Sequence, residues 1–331
     1  MSAQAAAARS EAKPSEAHLG MRAVVCAYGE IGAAALETLL ELGVDVPLVV
    51  THDDAPGERI WFRSVRELAQ GAGVRAIAPP DVNAREPFAQ LAEAAPDFLF
   101  SFYFRSMLKA PVLALAKRGS LNLHGSLLPR YRGRAPVNWV LVHGEHETGV
   151  TLHYMDEKPD HGDVVAQRAV AIARDDSALS LTRKLAAGAR ELLREAIPRL
   201  AVGTAPRIRQ DHTRSTYYGG RRPDDGAIDW RAPAERVRNL VRAVADPWPG
   251  AFTELRERRL FVWWAELAPL DRPRTPGELF FGRDGAPCIA AGDDAIALAR
   301  VGWTGGPAED ARAWAQRERI RAGERCTTLA R

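Results

Sequence analysis

The chain has 331 residues, 46% of them hydrophobic, and its 45 basic and 42 acidic residues leave a net charge of +3. This length and apolar content suffice for two domains with buried cores, and the absence of an apolar run near the roughly 20 residues that span a bilayer argues against membrane insertion. The near balance of charge gives no strong electrostatic footprint for nucleic acid, so we expect no nucleic-acid partner.

The first twenty residues and the cysteines of the chain favour a cytoplasmic protein. Residues 1–20 are small and polar and lack the apolar stretch of a secretory signal, so they are predicted to be a disordered extension. The three cysteines, an odd number, have no paired or metal-like spacing. This usage fits a reducing compartment, and we expect no disulfides.

Strand-like and helix-like segments alternate through residues 21–203. Strands are predicted at 22–27, 46–50, 74–77 and 98–102, with helices at 31–42, 60–72 and 84–95 between them. This alternation predicts an α/β domain with a Rossmann-like, mostly parallel sheet. The turn Tyr28-Gly29-Glu30-Ile31-Gly32 lacks the GxGxxG spacing that admits a pyrophosphate, so no nicotinamide cofactor is expected.

Segment 120–138 is the part of the chain that least resembles ordinary core or surface. Its first residues alternate like a strand, so Asn122 and His124, two residues apart, project from the same side of the backbone. Glycines and prolines then interrupt regular structure, which predicts a long loop carrying Arg130, Arg132 and Arg134. From spacing alone, a strand followed by a turn with a merely structural histidine explains the segment equally well.

Two further strands and a long helix are expected to close the first domain. The strands are predicted at 149–155 and 164–172, with Asp160 in the turn between them, and the helix at 178–200. Ligands of open parallel sheets bind at the carboxyl ends of the strands. The sequence therefore predicts a site where residues 106–108, Asn122 and His124 gather.

A second domain follows a polar linker at 204–225. Residues 226–306 contain a predicted helix at 237–244 and short strands near 251–255, 260–265, 277–281 and 295–301, which is typical of a small barrel. Residues 307–331 carry many charges and few apolar groups, so we expect a solvated helix or a loose tail there.

Three strings carry a family resemblance. NLHGSLLPRYRGRAPVNW at 122–139, ETGVTLHYM at 147–155 and the pair Asp160 and Gly162 resemble the signature of the folate-dependent formyltransferases, which use 10-formyltetrahydrofolate. Within that family, RGRAPVNW and FSFYFR are most similar to the formyltransferase half of the bifunctional enzymes of polymyxin resistance. The resemblance implies an OB-like β-barrel as the second domain.

The resemblance also implies a catalytic set of Asn122, His124 and Asp160. Formyl transfer to an amine passes through a tetrahedral intermediate, which needs a donor for the oxyanion and a group that takes a proton. The amide of Asn122 and the imidazole of His124 supply donors, and Asp160 holds the imidazolium or accepts a proton from the substrate ammonium. The resemblance places folate contacts on Ser106, Met107, Leu108, Arg134, Asp156, Glu157, Lys158, Pro159 and Asp160.

Two alternatives from other classes remain at this point. Five potential metal ligands are clustered in the sequence, namely His143, His146, His153, Asp160 and His161. Their spacing does not match the HExxH motif, so no metal is expected. A module that binds folate without turnover would leave the catalytic set without a role. Folate binding without transfer to any amine would favour that module.

The acceptor divides the family further. A methionyl-tRNA enzyme needs basic surface and carries a basic insertion after its second strand, whereas the matching stretch here, 52–59, is short and net acidic. We therefore expect a UDP-amino sugar, most specifically UDP-4-amino-4-deoxy-L-arabinose of lipid A modification, with another nucleotide-linked amino sugar or methionyl-tRNA as alternatives. The sequence stops before the decarboxylase domain of the bifunctional enzymes, so any decarboxylation is expected from a separate protein.

Overall fold

The computed structural model describes residues 19–55 and 57–327. All but the last two residues of the predicted extension, 1–20, lie outside this part of the chain. Among the described residues, no helix combines the length and the apolar character needed to cross a membrane. The three cysteines are unpaired and buried.

The first sheet has seven strands among the described residues, in the order β3-β2-β1-β4-β5-β7-β8. The first five positions pair in parallel and the last two are antiparallel, which confirms the predicted mostly parallel sheet. The strands of this half of the chain, including the short β6 outside the sheet, are β1 (Arg22–Ala27), β2 (Asp45–Val50), β3 (Arg75–Ile77), β4 (Phe98–Phe102), β5 (Gly119–His124), β6 (Arg132–Gly133), β7 (Glu147–Tyr154) and β8 (Val164–Ala171).

Helices cover both faces of this sheet. The helices of the first half are α1 (Gly29–Glu41), α2 (Val65–Gly71), α3 (Arg85–Glu93), α4 (Ala110–Leu113), α5 (Pro136–Val142) and α6 (Ala178–Ala201). Alternate residues of β1 belong to two separate apolar clusters, with Val25 in one and Val24 in the other. The period of two along a strand thus sends neighbouring side chains into opposite layers of core.

Two predicted segments in this half differ clearly from the structure. The helix predicted at 60–72 begins only at Val65, because the hydroxyl of Ser64 caps it by accepting from the amide of Glu67 at 3.2 Å. The preceding residues instead reach the other half of the molecule, where the ring of Trp61 lies 5.2 Å from that of Trp248. The segment after His124 is also more regular than predicted, since it contains β6 and α5.

The second sheet is antiparallel throughout and forms the curled half-barrel of an OB-like domain, as predicted. The helix α7 (Ala234–Val244) packs against its long strand, β11. The strands after this helix include β10 (Ala251–Leu255), β11 (Arg258–Ala268), β12 (Leu279–Phe281), β13 (Pro287–Ala290), β14 (Ala295–Trp303) and β16 (Cys326–Thr327). Two further strands of this half, both very short, are β9 (Tyr217–Tyr218), which pairs with β6, and β15 (Glu309–Asp310), which pairs with β14.

The prediction of a solvated helix or loose tail at the C-terminus is wrong for its described part. Residues 311–317 form α8 (Ala311–Arg317), which Asp310 caps with its side chain, and Trp314 on this helix is fully buried. The apolar residues at 311, 314 and 315 have helical spacing and bury one face, which is enough to dock a helix with an otherwise charged surface. Residues 328–331 lie outside the described part.

Candidate active site

The carboxyl end of β5 carries the first two predicted site residues. Asn122 and His124 both lie on β5, between β4 on one side and β7 on the other. Their side chains leave the sheet on the face opposite Leu121 and Leu123, which belong to the core. The strand therefore delivers an amide and an imidazole to one place.

Asp160 approaches these two groups from the turn between β7 and β8. Its Oδ1 lies 3.5 Å from Nδ1 of His124 and 3.5 Å from Nδ2 of Asn122. Its Oδ2 accepts a hydrogen bond of 2.7 Å from the backbone amide of Gly133. The three residues predicted to be catalytic are thus adjacent, and the arginine-bearing loop supplies a fourth polar group through its backbone.

The electrostatic surroundings keep Asp160 ionised. Burial by itself would raise the pKa of this carboxyl, but the charge of His124, the contact with His153 and the amide of Gly133 together hold the pKa well below its usual range. Its side chain is 11% exposed and that of His124 is 7% exposed, so solvent screens this pair little.

Hydrogen bonding fixes the orientation of the His124 ring. Its Nε2 lies 2.7 Å from the backbone oxygen of Tyr131. Because a carbonyl oxygen only accepts, Nε2 carries a proton and donates it there. Nδ1 is then the nitrogen that faces Asp160 and is free to exchange a proton with a ligand.

His153 belongs to the same cluster, although the sequence predicts it only as a rejected metal ligand. It pairs with Asn122 in the register of β5 and β7, is 1% exposed, and its Nε2 lies 3.1 Å from Nδ2 of Asn122. Its Nδ1 donates to the backbone oxygen of Tyr154 at 2.8 Å, while its Nε2 faces both the amide of Asn122 and, at 3.6 Å, Oδ1 of Asp160. The alternation of polar Thr151 and His153 within β7 was the available signal.

The two predicted folate segments, 106–108 and 156–160, border the apolar cluster that contains Val24. Leu108 is buried in this cluster, against which Met155, the residue before the second segment, also packs. Asn83 ties the first segment down by donating to the oxygen of Met107 at 3.0 Å and accepting from the amide of Lys109 at 2.8 Å. Side chains of both segments remain exposed at Met107 and at 156–159.

The three arginines of the loop have three different environments. Arg130 pairs with Glu145, while the nearly buried Arg132 donates to Gln210 at 2.5 Å. Burial lowers the pKa of the Arg132 guanidinium, and the charges of Asp160 and Asp156 oppose that change. Arg134 is exposed, as Arg130 is, and lines a cavity.

This cavity has a volume of about 420 Å³ and lies where the loop, the linker and the second domain meet. Arg134, Asn138, Arg221, Arg222 and Trp248 are among its lining residues. The chain links it to the catalytic cluster, since its lining residue Arg134 directly follows Gly133, whose amide binds the Asp160 carboxylate. A cleft that combines guanidinium groups with an aromatic ring suits an anionic ligand with a flat ring.

No group of three or more His, Cys, Asp or Glu residues within 19–55 and 57–327 is arranged to hold a metal ion. The five acceptors weighed as a metal site are separated by the fold. Asp160 and His153 belong to the cluster on β5 and β7, whereas the ring of His161 stacks at 3.9 Å on that of His212 in the linker.

Comparison with known families and structures gives two kinds of match. Residues 22–197 match the model described as formyl transferase, and residues 221–319 match the model described as formyl transferase, C-terminal domain. Among solved structures, the N-formyltransferase from Helicobacter canadensis, in complex with folinic acid and dTDP-3-aminofucose, is 20% identical with a TM-score of 0.66, and the match covers 84% of this chain and 99% of that one.

Two further structures share the fold at similar identity. WlaRD, a sugar 3N-formyl transferase studied with dTDP and 5-N-formyl-THF, is 18% identical with a TM-score of 0.65, covering 84% of this chain and 97% of that one. A variant of HypX from Aquifex aeolicus is 19% identical with a TM-score of 0.61, and the match covers 92% of this chain. The chain spans 48% of HypX. At these identities the likeness establishes the fold.

Proposed function

The chain belongs to the formyl transferase family, whose model matches residues 22–197, and from this premise we propose that it moves the formyl group of 10-formyltetrahydrofolate to the 4-amino group of a UDP-linked amino sugar. The sugar proposed is UDP-4-amino-4-deoxy-L-arabinose, on a route of lipid A modification and polymyxin resistance. The observation that carries the proposal is the adjacency of Asn122, His124 and Asp160 next to an arginine-lined cavity.

The folate donor is supported by the family and by a relative of the same fold. The enzyme from Helicobacter canadensis was solved with folinic acid, a formylated tetrahydrofolate. In this chain, Met107 and residues 156–159 are exposed, while Leu108 and Met155 both contribute to one apolar cluster. We propose that these segments hold the folate so that its N10-formyl group reaches the end of β5.

The chemistry proposed for the cluster needs no covalent enzyme intermediate. The amine of the acceptor attacks the formyl carbon, the carbonyl oxygen becomes an oxyanion, and collapse breaks the bond to N10 of the folate. The proposed donors for the oxyanion are the amide of Asn122 and Nδ1–H of the His124 imidazolium, whose contacts of 3.5 Å to Oδ1 of Asp160 are long enough to give way to a bound oxyanion. Asp160 stabilises that imidazolium, and the proton lost by the amine finally resides on N10.

The arginine-lined cavity supports a nucleotide-linked acceptor. A diphosphate binds guanidinium groups through paired hydrogen bonds, and Arg134, Arg221 and Arg222 line one cavity. The ring of Trp248 in the same cavity offers a face for a base. Arg134, assigned to folate by the resemblance, is here proposed to serve the acceptor as well.

The two alternative acceptors are methionyl-tRNA, which the 52–59 stretch bears on, and another nucleotide-linked amino sugar, which the relatives bear on. Two acidic groups of this stretch make contacts within the chain, since Glu58 pairs with Arg105 and Asp54 accepts from the hydroxyl of Tyr28 at 2.7 Å. The side chain of Asp53 is 73% exposed. Among the described residues of this stretch the single arginine, Arg59, pairs with Asp246, so little positive charge is left there for tRNA phosphates. A dTDP-linked sugar is the second candidate, since the Helicobacter canadensis enzyme was solved with dTDP-3-aminofucose.

A kinetic comparison tests the acceptor. Purified protein with 10-formyltetrahydrofolate is assayed against UDP-4-amino-4-deoxy-L-arabinose, dTDP-3-aminofucose and initiator methionyl-tRNA. We expect the highest kcat/KM for the UDP sugar. A higher value for methionyl-tRNA would reverse the assignment, and folate binding without transfer to any amine would favour a binding module.

The same assay tests the requirement for other cofactors. Treatment with EDTA and omission of nicotinamide nucleotides should leave the rate unchanged, because the proposed donors are side-chain groups. Activity that is lost after EDTA and restored by Zn²⁺ would contradict this.

A further inference from the structure

The linker between the two domains runs along the first domain beside Asp160. Ile208 forms an antiparallel bridge with Val164, with backbone hydrogen bonds of 2.8 and 2.9 Å. Further on, β9 pairs in parallel with β6, the strand that contains Gly133. The linker is therefore anchored on both sides of the turn that carries Asp160.

Gln210 lies between these two anchors, and its side chain is buried against that turn. Its Nε2 donates to the backbone oxygen of Asp160 at 3.0 Å and to that of Gly162 at 2.7 Å. Its Oε1 accepts from Arg132 at 2.5 Å. Every polar group of the Gln210 amide is thus engaged, at 6% exposure.

The turn needs such support because of its backbone geometry. Asp160 has a φ of +56°, in the left-handed region that non-glycine residues seldom occupy. Two residues later the chain passes so close to Tyr154 that a Cβ on Gly162 would lie 2.1 Å from the Tyr154 oxygen. A strained conformation of this kind persists only where surrounding contacts over-determine it.

We propose that Gln210 is a positioning residue for formyl transfer, which holds the Asp160 turn so that the carboxylate stays between Nδ1 of His124 and the amide of Gly133. This inference rests on the role proposed above for Asp160. It makes the linker part of the catalytic apparatus, because Gln210 lies in the linker and binds the turn directly. The two are far apart in sequence, since Gln210 lies 50 positions after Asp160 and 48 positions after Gly162.

A purely structural role makes a different prediction. Arg132 is nearly buried, and its Nε has no hydrogen-bond partner within the part of the chain that the structure describes. Gln210 would then serve only as an acceptor for Arg132. The two roles separate in Gln210→Glu, which preserves the shape and improves the contact with Arg132 but replaces the two N–H donors by an oxygen facing two carbonyl oxygens.

The test compares Gln210→Glu and Gln210→Ala with wild type in single-turnover formyl transfer. We expect kcat to fall by about ten- to a hundredfold in both, the effect of a small misplacement of a reacting group, while KM for the folate changes little. The matched control is Asp211→Asn, because Asp211 is exposed and its side chain only caps the next turn through Thr213. Gln210→Glu with wild-type kcat would overturn the proposal.

A second readout does not require the acceptor. Titration of the Asp160 carboxyl by ¹³C NMR in the full chain should show its pKa rising toward the ordinary range in Gln210→Ala, since contacts that lower it are loosened. An unchanged pKa would overturn the positioning role. Failure of wild type to formylate any amine, with this pKa shift still present, would instead refute the proposed function alone.

Discussion

Replacing Asp160 by asparagine removes one negative charge from the cluster and leaves its shape almost unchanged. Asp160 Oδ1 lies 3.5 Å from Nδ1 of His124, and both side chains are largely buried. The asparagine oxygen can still accept from the amide of Gly133, so the turn is preserved. What is lost is the counter-charge of the His124 imidazolium.

The magnitude follows from that distance. At 3.5 Å, two unit charges attract by about 5 kcal/mol when the effective dielectric constant is about 20. Only the part of this attraction that grows toward the transition state lowers the barrier, and donors to a developing oxyanion contribute about 3 to 4 kcal/mol. We therefore expect kcat to fall by about 10² to 10³, with KM for the donor changed by less than about threefold.

Single-turnover formyl transfer by Asp160→Asn, with circular dichroism to verify folding, measures this effect. Asp163→Asn is the matched control, because its carboxylate lies three residues away and pairs only loosely with Arg207, at 3.6 Å. The control should keep wild-type kcat. A folded Asp160→Asn protein within about tenfold of wild type would refute the reasoning, and an equal fall in Asp163→Asn would trace the effect to the turn instead.

Three further outcomes are expected. His153→Leu removes the ring nitrogen that contacts and orients the amide of Asn122, so kcat should fall by about tenfold or more in the transfer assay. An unchanged kcat would mean that His153 serves only the core. Tyr103→Phe should keep or raise the free energy of unfolding in urea, because the buried Tyr103 hydroxyl has no partner among the described residues. Tyr131→Phe breaks satisfied hydrogen bonds and should lower that free energy by about 1 kcal/mol. Because folding lowers the pKa of Asp160, the ionised carboxylate stabilises the folded protein above the ordinary carboxyl pKa, and this stability is lost as the pH falls through the lowered pKa. Asp160→Asn should therefore flatten the loss of unfolding free energy at acidic pH in urea titrations. An identical pH dependence in the variant would contradict the lowered pKa.

Local patterns in the sequence account for most of the secondary structure and for part of the site. The alternation at 120–124 predicts β5 and the shared side of Asn122 and His124, because a strand has a period of two. Helical spacing likewise predicts most of α6. These predictions depend only on residues within one element, where geometry follows directly from the order of the chain.

Boundaries set by distant contacts were not predictable in this way. The residues before α2 read as helix, yet Trp61 packs on Trp248 of the other domain. The C-terminal residues read as a solvated tail, yet Trp314 is fully buried under β14. At α2 the cap at Ser64 is a local signal for the helix start, but in both cases the position of the flanking chain depends on tertiary packing of one large aromatic side chain.

The sequence by itself determined the elements of the first sheet, the placement of Asn122 and His124 on one strand, and the family resemblance carried by the strings around them. Only the tertiary structure decided that His153 and Gln210 join them, and that Arg130, Arg132 and Arg134 have three separate environments. The physical reason is that each of these contacts joins positions far apart in the chain. Such contacts form when whole strands and the linker pack together, and they leave no periodic pattern in the residues that make them.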